Sequence, residues 1–159
     1  MQILISDANI IIDLEEGLLV EYWFKLPYQF HIPDILFSEE LEQSHRHLLE
    51  RGLKLSELTP QSIEYAIELN ARYNDPSIND CFALVLAVQE KCPLLTGDKA
   101  LRNAAKNENV DVKGTLWLVE QMIKQQLITV PQAKQAYQLM RNAGRRLPWN
   151  LVNQQFTKI

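Results

Sequence analysis

Short apolar runs, too brief for helices, alternate along this chain with segments of helical periodicity, and that alternation limits the fold more than any other feature. Residues 2 to 5 form an apolar run that closes at Ser6 and Asp7. Further extended segments are predicted at Gln29 to Ile32, around Leu53, Leu55 and Leu58, at Pro93 to Thr96 and at Val110 to Val112. Helices are predicted between them: Asn9 to Glu16, stopped by Gly17; a long helix capped by Asp34 and running to Arg51, where Gly52 ends it; Pro60 to Tyr73, with Thr59 as its cap; and Asp98 to Asn107. Ile78 to Lys91 is apolar nearly all round, as a helix buried on every side must be. After Gly114 an amphipathic helix carries Leu116, Trp117, Val119, Met122 and Ile123; a further helix spans Pro131 to Ala143, and a break at Gly144 and Pro148 leads to a short tail. Strand and helix in turn imply βαβ units. The expected class is therefore α/β, a three-layer α/β/α sandwich around a central parallel sheet.

At 159 residues with 47% hydrophobic content, one packed domain over 1–159 is expected. No apolar stretch approaches the ~18 residues of a membrane span, and no basic leader precedes the first strand, so a soluble, cytoplasmic protein without membrane attachment is expected. Cys81 and Cys92 have neither disulfide nor zinc spacing and read as idle thiols. The formal charge of −4 gives no global basic field.

Right-handed crossovers bring all strand C-terminal ends to one edge of a parallel sheet, where a ligand crevice forms. Asp7 and Asp98 directly follow strands, and Glu40 and Asp80 fall in the first turns of predicted helices that start near the same edge. Each acid has a purely structural role open to it. Asp7 and Asp98 suit helix N-caps, Asp80 completes a capping box with Ser77, and Glu40 suits a helix N-terminus. Caps, however, have no reason to gather at one edge, whereas ligands of a shared ion must. Converging carboxylates repel one another and are hard to keep ionised without a cation, so the set points to a hard divalent metal and phosphate chemistry. Glu39 competes with Glu40; Leu36, one turn earlier, favours Glu40 by helical phase.

Ser-Asp-Ala-Asn-Ile-Ile-Ile-Asp-Leu, a Glu-Leu early in a helix after a short strand and Pro, Asp-Cys-Phe-Ala-Leu-Val-Leu-Ala, and Leu-Leu-Thr-Gly-Asp-Lys-Ala-Leu-Arg stand here in an order that resembles the PIN domain over residues 1 to about 120. Val-Lys-Gly-Thr-Leu-Trp-Leu-Val and Arg-Arg-Leu-Pro resemble a prokaryotic PIN subgroup encoded near small antitoxin-like proteins. The resemblance implies a PIN-like core over about 1–125 with a C-terminal helical extension over about 126–159. It implies a metal-dependent endoribonuclease of the VapC toxin kind, one half of a type II toxin and antitoxin pair. Mg or Mn would be held by Asp7, Glu40, Asp80 and Asp98, RNA would be the substrate, and a small antitoxin protein and a second copy of the chain would be partners. Carboxylate oxygens agree with that choice of metal, since zinc would favour His or Cys.

Asn9 and Thr96 are candidates to orient the carboxylates or bound water, with local backbone bonding and strand-end packing as their ordinary alternatives. Lys99 and Arg102 could meet substrate phosphates or simply be solvated helix charges. Arg141, Arg145 and Arg146 form the densest basic group, suited to an RNA backbone or an acidic peptide, if not merely a solubilising surface. His45 and His47, two apart on the predicted helix, point to different faces. Tyr22, Trp23 and Phe24 cannot all face inward on one short helix, which favours self-association.

Two other readings stand beside the nuclease. One is a catalytically silent PIN-like binding module, which has no reason to keep four repelling acids. The other is an aspartate-based, Mg-dependent phosphotransfer protein, but Asp7-Ala8-Asn9 lacks the second acid of an Asp-x-Asp nucleophile motif. A P-loop and a Gly-x-Ser-x-Gly elbow are both missing.

Overall fold

In the computed structural model, which describes residues 1–158, five strands pair in parallel: β1 (Gln2–Ser6), β2 (Tyr28–Pro33), β3 (Lys54–Ser56), β4 (Leu94–Leu95) and β5 (Val112–Lys113). Their order across the sheet is β3-β2-β1-β4-β5. The chain winds outward in one direction from β1 to β3 and in the other from β4 to β5, so the order reverses between β1 and β4. In open parallel sheets such a reversal leaves a crevice at the strand C-terminal ends. The register aligns Ile5 with His31 on one side and with Leu94 on the other, which brings the ends of the three central strands level.

The helices are α1 (Ala8–Glu16), α2 (Val20–Trp23), α3 (Asp34–Glu40), α4 (Glu42–His45), α5 (Leu48–Arg51), α6 (Pro60–Arg72), α7 (Ile78–Glu90), α8 (Lys99–Asn107), α9 (Thr115–Lys124), α10 (Val130–Asn142) and α11 (Trp149–Lys158). The sequence pattern explains the layers. Leu4 and Ile5 of β1 point to opposite faces and are both buried, as a strand covered on two sides requires. Along α7 every residue from Cys81 to Ala87 is buried, which accounts for its all-round apolar character. Ile10, Ile11 and Leu14 turn one face of α1 into the core, each worth about 1.5–3 kcal/mol of hydrophobic burial.

Three expectations are corrected. The long helix over 34–51 is three short ones, broken at Leu41 (φ −123°) and again at Arg46 and His47. From Glu39 to His47 only Leu41 is apolar and buried, so little packing holds a continuous helix there. Asp34 does not cap it either: Pro33 holds the cap position, and Asp34 Oδ1 accepts from the adjacent Ile35 N–H at 2.8 Å. The break also redirects the histidines. His45 Nδ1 lies 3.0 Å and His47 Nε2 2.7 Å from the Glu15 carboxylate of α1, so the two rings converge on one partner. After Pro148 the chain forms the helix α11, which is packed against its neighbours. Tyr137 of α10 donates to Gln155 Oε1 (2.7 Å), Gln155 Nε2 donates to the Leu116 carbonyl of α9 (2.7 Å), and the Phe156 ring meets Tyr137 edge-on.

Trp23 is fully buried, stacked on Phe24 and against Phe30, while Tyr22 and Phe24 are half-buried. Among the described residues no helix is long and apolar enough to cross a membrane.

Candidate active site

Asp7 follows the last residue of β1 and caps α1, its Oδ1 accepting from the Ile10 N–H at 2.9 Å. Its other oxygen, Oδ2, accepts from the Thr96 hydroxyl at 2.5 Å. Thr96 stands at the end of β4 and its Oγ1 in turn accepts from the Asp98 N–H at 3.1 Å. A chain of hydrogen bonds therefore crosses the point where the strand order reverses, tying the turn after β4 to the turn after β1. Asp98 caps α8 through its Oδ2, which accepts from the Leu101 N–H at 2.8 Å. Asp80 completes a capping box at the start of α7: Ser77 N–H donates to Asp80 Oδ2 and Asp80 N–H to Ser77 Oγ, both at 3.0 Å. All three acids thus cap helices, and Thr96 ties the turns that carry Asp7 and Asp98 together. One oxygen of Asp80 and one of Asp98 is committed to backbone, while the Oδ1 of each accepts no side-chain or backbone donor among the described residues.

The electrostatics link these acids. Asp7 is 1% exposed, and burial pushes its carboxyl up to about 7 against the lowering effect of the Thr96 and Ile10 hydrogen bonds. The charges that act on it most are acidic, Asp80 and then Asp13, and both raise it further. Glu40, at the end of α3, is raised from the ordinary glutamate value by partial burial; Asn79 opposes the shift, and the Asp80 and Glu39 carboxylates add to it. Asp80 therefore stands within the field of both Asp7 and Glu40. Glu39 is held differently, its Oε2 accepting from the Asn79 amide at 2.9 Å.

Other predicted residues are placed elsewhere. Asn9 does not turn to a carboxylate; its Oδ1 accepts from Arg145 Nη2 at 3.2 Å. Arg145 also donates through Nε to Asp13 Oδ1 at 2.7 Å, and Asp13 Oδ2 accepts from the Thr115 hydroxyl at 2.8 Å. Burial raises the Asp13 carboxyl, and the Arg145 and Thr115 hydrogen bonds offset part of that. This largely buried set joins α1, the start of α9 and the segment between α10 and α11, near enough to Asp7 for the Asp13 charge to act on it. Lys99 and Arg102 are exposed on the first turns of α8. Arg102 lines a groove with Lys113 and Arg146, and Lys99 does not.

Asn79, Asp13 and Thr115 were missed as members of this neighbourhood. Asp13 carried a usable signal, an acid within the apolar run Ile10-Ile11-Ile12-Asp13-Leu14 that must be buried with its helix. Asn79 adjoins Asp80 in the capping motif, but nothing local indicates that it reaches back to Glu39.

Carboxylate oxygens are the donor set of a hard divalent cation. Among the described residues, no group of three or more His, Cys, Asp and Glu side chains is placed to hold a metal ion. The donors fit a small hard divalent cation, which commonly rests on one or two carboxylates, completed by water and substrate phosphates, rather than on an all-protein cage.

A five-stranded parallel sheet between helical layers, with its strand order reversing between the Asp7 and Thr96 strands, is a PIN-like α/β fold. The chain belongs to the PIN-domain family: the family model for the PIN domain matches residues 3–159. Among solved structures it is similar to a PilT N-terminus domain protein from the hyperthermophilic archaeon Sulfolobus solfataricus P2, at 17% identity and a TM-score of 0.48, over 77% of this chain and 93% of that one. No curated protein matches it.

Proposed function

We propose that this protein is a metal-dependent endoribonuclease and that Asp7, Glu40, Asp80 and Asp98 form its catalytic edge, binding Mg or Mn. The observation that carries the reading is Asp7. A carboxylate almost wholly buried, whose strongest charged influences are other carboxylates, is costly to a fold that makes no use of it. A hard cation held by these carboxylates would supply the missing positive charge, and with it polarisation of the scissile phosphate and a lowered pKa for attacking water. The residues of the chain have separable parts in this. Asp7 is the fixed anchor, oriented by Thr96 and the Ile10 N–H. Asp80 and Asp98 each keep one oxygen free of backbone, and Glu40 is exposed at the rim, able to close on an ion that arrives with substrate.

The narrower reading, the toxin of a type II pair with a small antitoxin as partner, is supported by the resemblance of the Val-Lys-Gly-Thr-Leu-Trp and Arg-Arg-Leu-Pro segments to the antitoxin-associated PIN subgroup. Growth arrest on expression, relieved by Asp98→Asn and by an adjacent small reading frame, is its expected outcome; growth unaffected by the wild-type chain contradicts it.

Metal binding is tested by thermal unfolding in EDTA against increasing Mn. The melting temperature of the wild type should rise with Mn concentration, as that of any state that binds the ligand does, and Asp7→Asn should abolish the rise. A wild type indifferent to Mn and Mg alike would contradict the proposal.

A further inference from the structure

Glu39 and Glu40 are consecutive, so on a helix their side chains leave about 100° apart and only one at a time can turn to Asp80. Both are exposed at the end of α3, and the chain changes direction at Leu41 directly after them. Helix ends fray, so phase alone holds neither in place. The residue that tells them apart is Asn79, in the first turn of α7. The capping box of Ser77 and Asp80 fixes that turn, and Asn79 stands on it directly before Asp80. Its Nδ2 donates to Glu39 Oε2 at 2.9 Å, a bond between residues 40 positions apart. The same amide acts on Glu40, where it opposes the effect of burial and of the Asp80 and Glu39 charges. Its Oδ1 is buried and accepts no hydrogen bond among the described residues. An amide kept only for packing would turn that oxygen to a donor; this one keeps its bond to Glu39 and leaves the oxygen orphaned. Glu40 takes part in no salt bridge among the described residues.

We propose that Asn79 is a positioning residue that decides which of the two glutamates serves the acid edge, holding Glu39 aside and leaving Glu40 free to close on a cation beside Asp80. A carboxylate oxygen that already accepts a hydrogen bond has fewer lone pairs to offer a hard cation, so the bond to Glu39 takes that side chain out of the competition. Glu39 and Glu40 are chemically identical and adjacent. The difference in their roles therefore lies outside α3, in one amide carried by the turn that also carries Asp80. The proposal rests on the metal-dependent reading of this edge for the use made of Glu40, and on the Asn79–Glu39 bond for the selection.

The test follows Mn binding to the RNA-free protein through the electron paramagnetic resonance signal of unbound Mn, a readout that needs no cleavage. In the wild-type background Glu40→Gln should weaken Mn by at least about tenfold, and Glu39→Gln should stay within about threefold of wild type. Asn79→Ala releases Glu39, so in that background the two substitutions should become alike, their effects within about threefold of each other. Asn79→Ser, which also lacks the amide, should reproduce the Ala result, and circular dichroism of each variant checks that it is folded. A residue that merely packed α3 on α7 would weaken every variant together without exchanging the two glutamates. In the metal-free protein, the Asn79 side-chain amide signals in nuclear magnetic resonance should move further in Glu39→Gln than in Glu40→Gln. The proposal is overturned if the two glutamate substitutions differ as much in the Asn79→Ala background as in wild type, if Glu39→Gln is the more damaging in wild type, or if the amide signals ignore Glu39→Gln. The two claims fail separately. Mn binding that depends on Glu40 alone, whatever stands at position 79, retains the metal reading and removes the selection. Amide signals that depend on Glu39, in a wild type indifferent to Mn and Mg, remove the metal reading and the selection with it, leaving the Asn79–Glu39 bond as a contact between two helices.

Discussion

The Thr96 hydroxyl donates to Asp7 Oδ2 at 2.5 Å across 89 positions of sequence, at the point where the strand order turns back on itself. Because the bond favours the charged carboxylate, it works against the burial that raises Asp7. Thr96→Val removes the donor while keeping the shape. The acid limb of the pH–rate profile should then move upward by about one unit, given the value of a hydrogen bond to a charged group. Thr96→Ser should restore the wild-type limb. An unchanged profile in the Val variant would mean that Asp7 ionisation does not govern the rate.

Asp7 also predicts an unusual pH dependence of stability in the metal-free protein. Its folded value of about 7 lies above the ordinary aspartate value of about 4, so between these limits the folded chain binds the proton more tightly than the unfolded one. Asp7 therefore makes stability fall as pH rises through that window, by up to about 4 kcal/mol, with no further change above it. In EDTA at about pH 8, Asp7→Asn should unfold at higher urea than wild type, and the difference should shrink toward about pH 5. Urea titrations at the two pH values decide it; a variant less stable than wild type at both would show that the ionised carboxylate is well satisfied without metal.

Asparagine separates capping from chemistry at Asp80 and Asp98. It is as good an N-cap as aspartate and can accept the bonds that Ser77 N–H and Leu101 N–H make now. Asp80→Asn and Asp98→Asn should each cost no more than about 0.5 kcal/mol by chemical denaturation. Ser77→Ala, which removes the reciprocal acceptor of the box, should cost about 1 kcal/mol. Large losses in the Asn variants would assign these acids a structural role through their charge.

The Arg145–Asp13 pair holds the segment before α11 to α1. Removing one partner strands a buried charge, so Arg145→Ala should cost about 3 kcal/mol, and Arg145→Met combined with Asp13→Leu should recover much of it. Hydrogen exchange should show the loss concentrated in 145–158. Uniform loosening throughout the chain would contradict a local latch.

Much of this arrangement was legible in the residues because it is written locally. The alternation of short apolar runs with helical periodicity marked the parallel sheet, and Asp7, Asp80 and Asp98 each stand where a strand or turn hands over to a helix. What could not be read depends on distant partners or on local structure giving way. Asn9 turns to Arg145 because the segment after α10 folds back over α1, a contact 136 positions long. The break within 34–51 brings His45 and His47 onto Glu15, whereas an intact helix would have pointed them apart. The place where α11 docks is set by Gln155 and Phe156, which find Leu116 and Tyr137 on neighbouring helices. In each case tertiary contacts outweighed local preference.

The central claim, that the acids at this edge serve a metal-dependent ribonuclease, is tested most directly by cleavage of single-stranded RNA by the purified protein in Mn and in EDTA, with Asp7→Asn, Asp80→Asn and Asp98→Asn in parallel. The account predicts internal cuts by the wild type in Mn alone, and at least about a hundredfold loss in each folded variant. Cleavage that persists in EDTA, or in all three variants together, would contradict it.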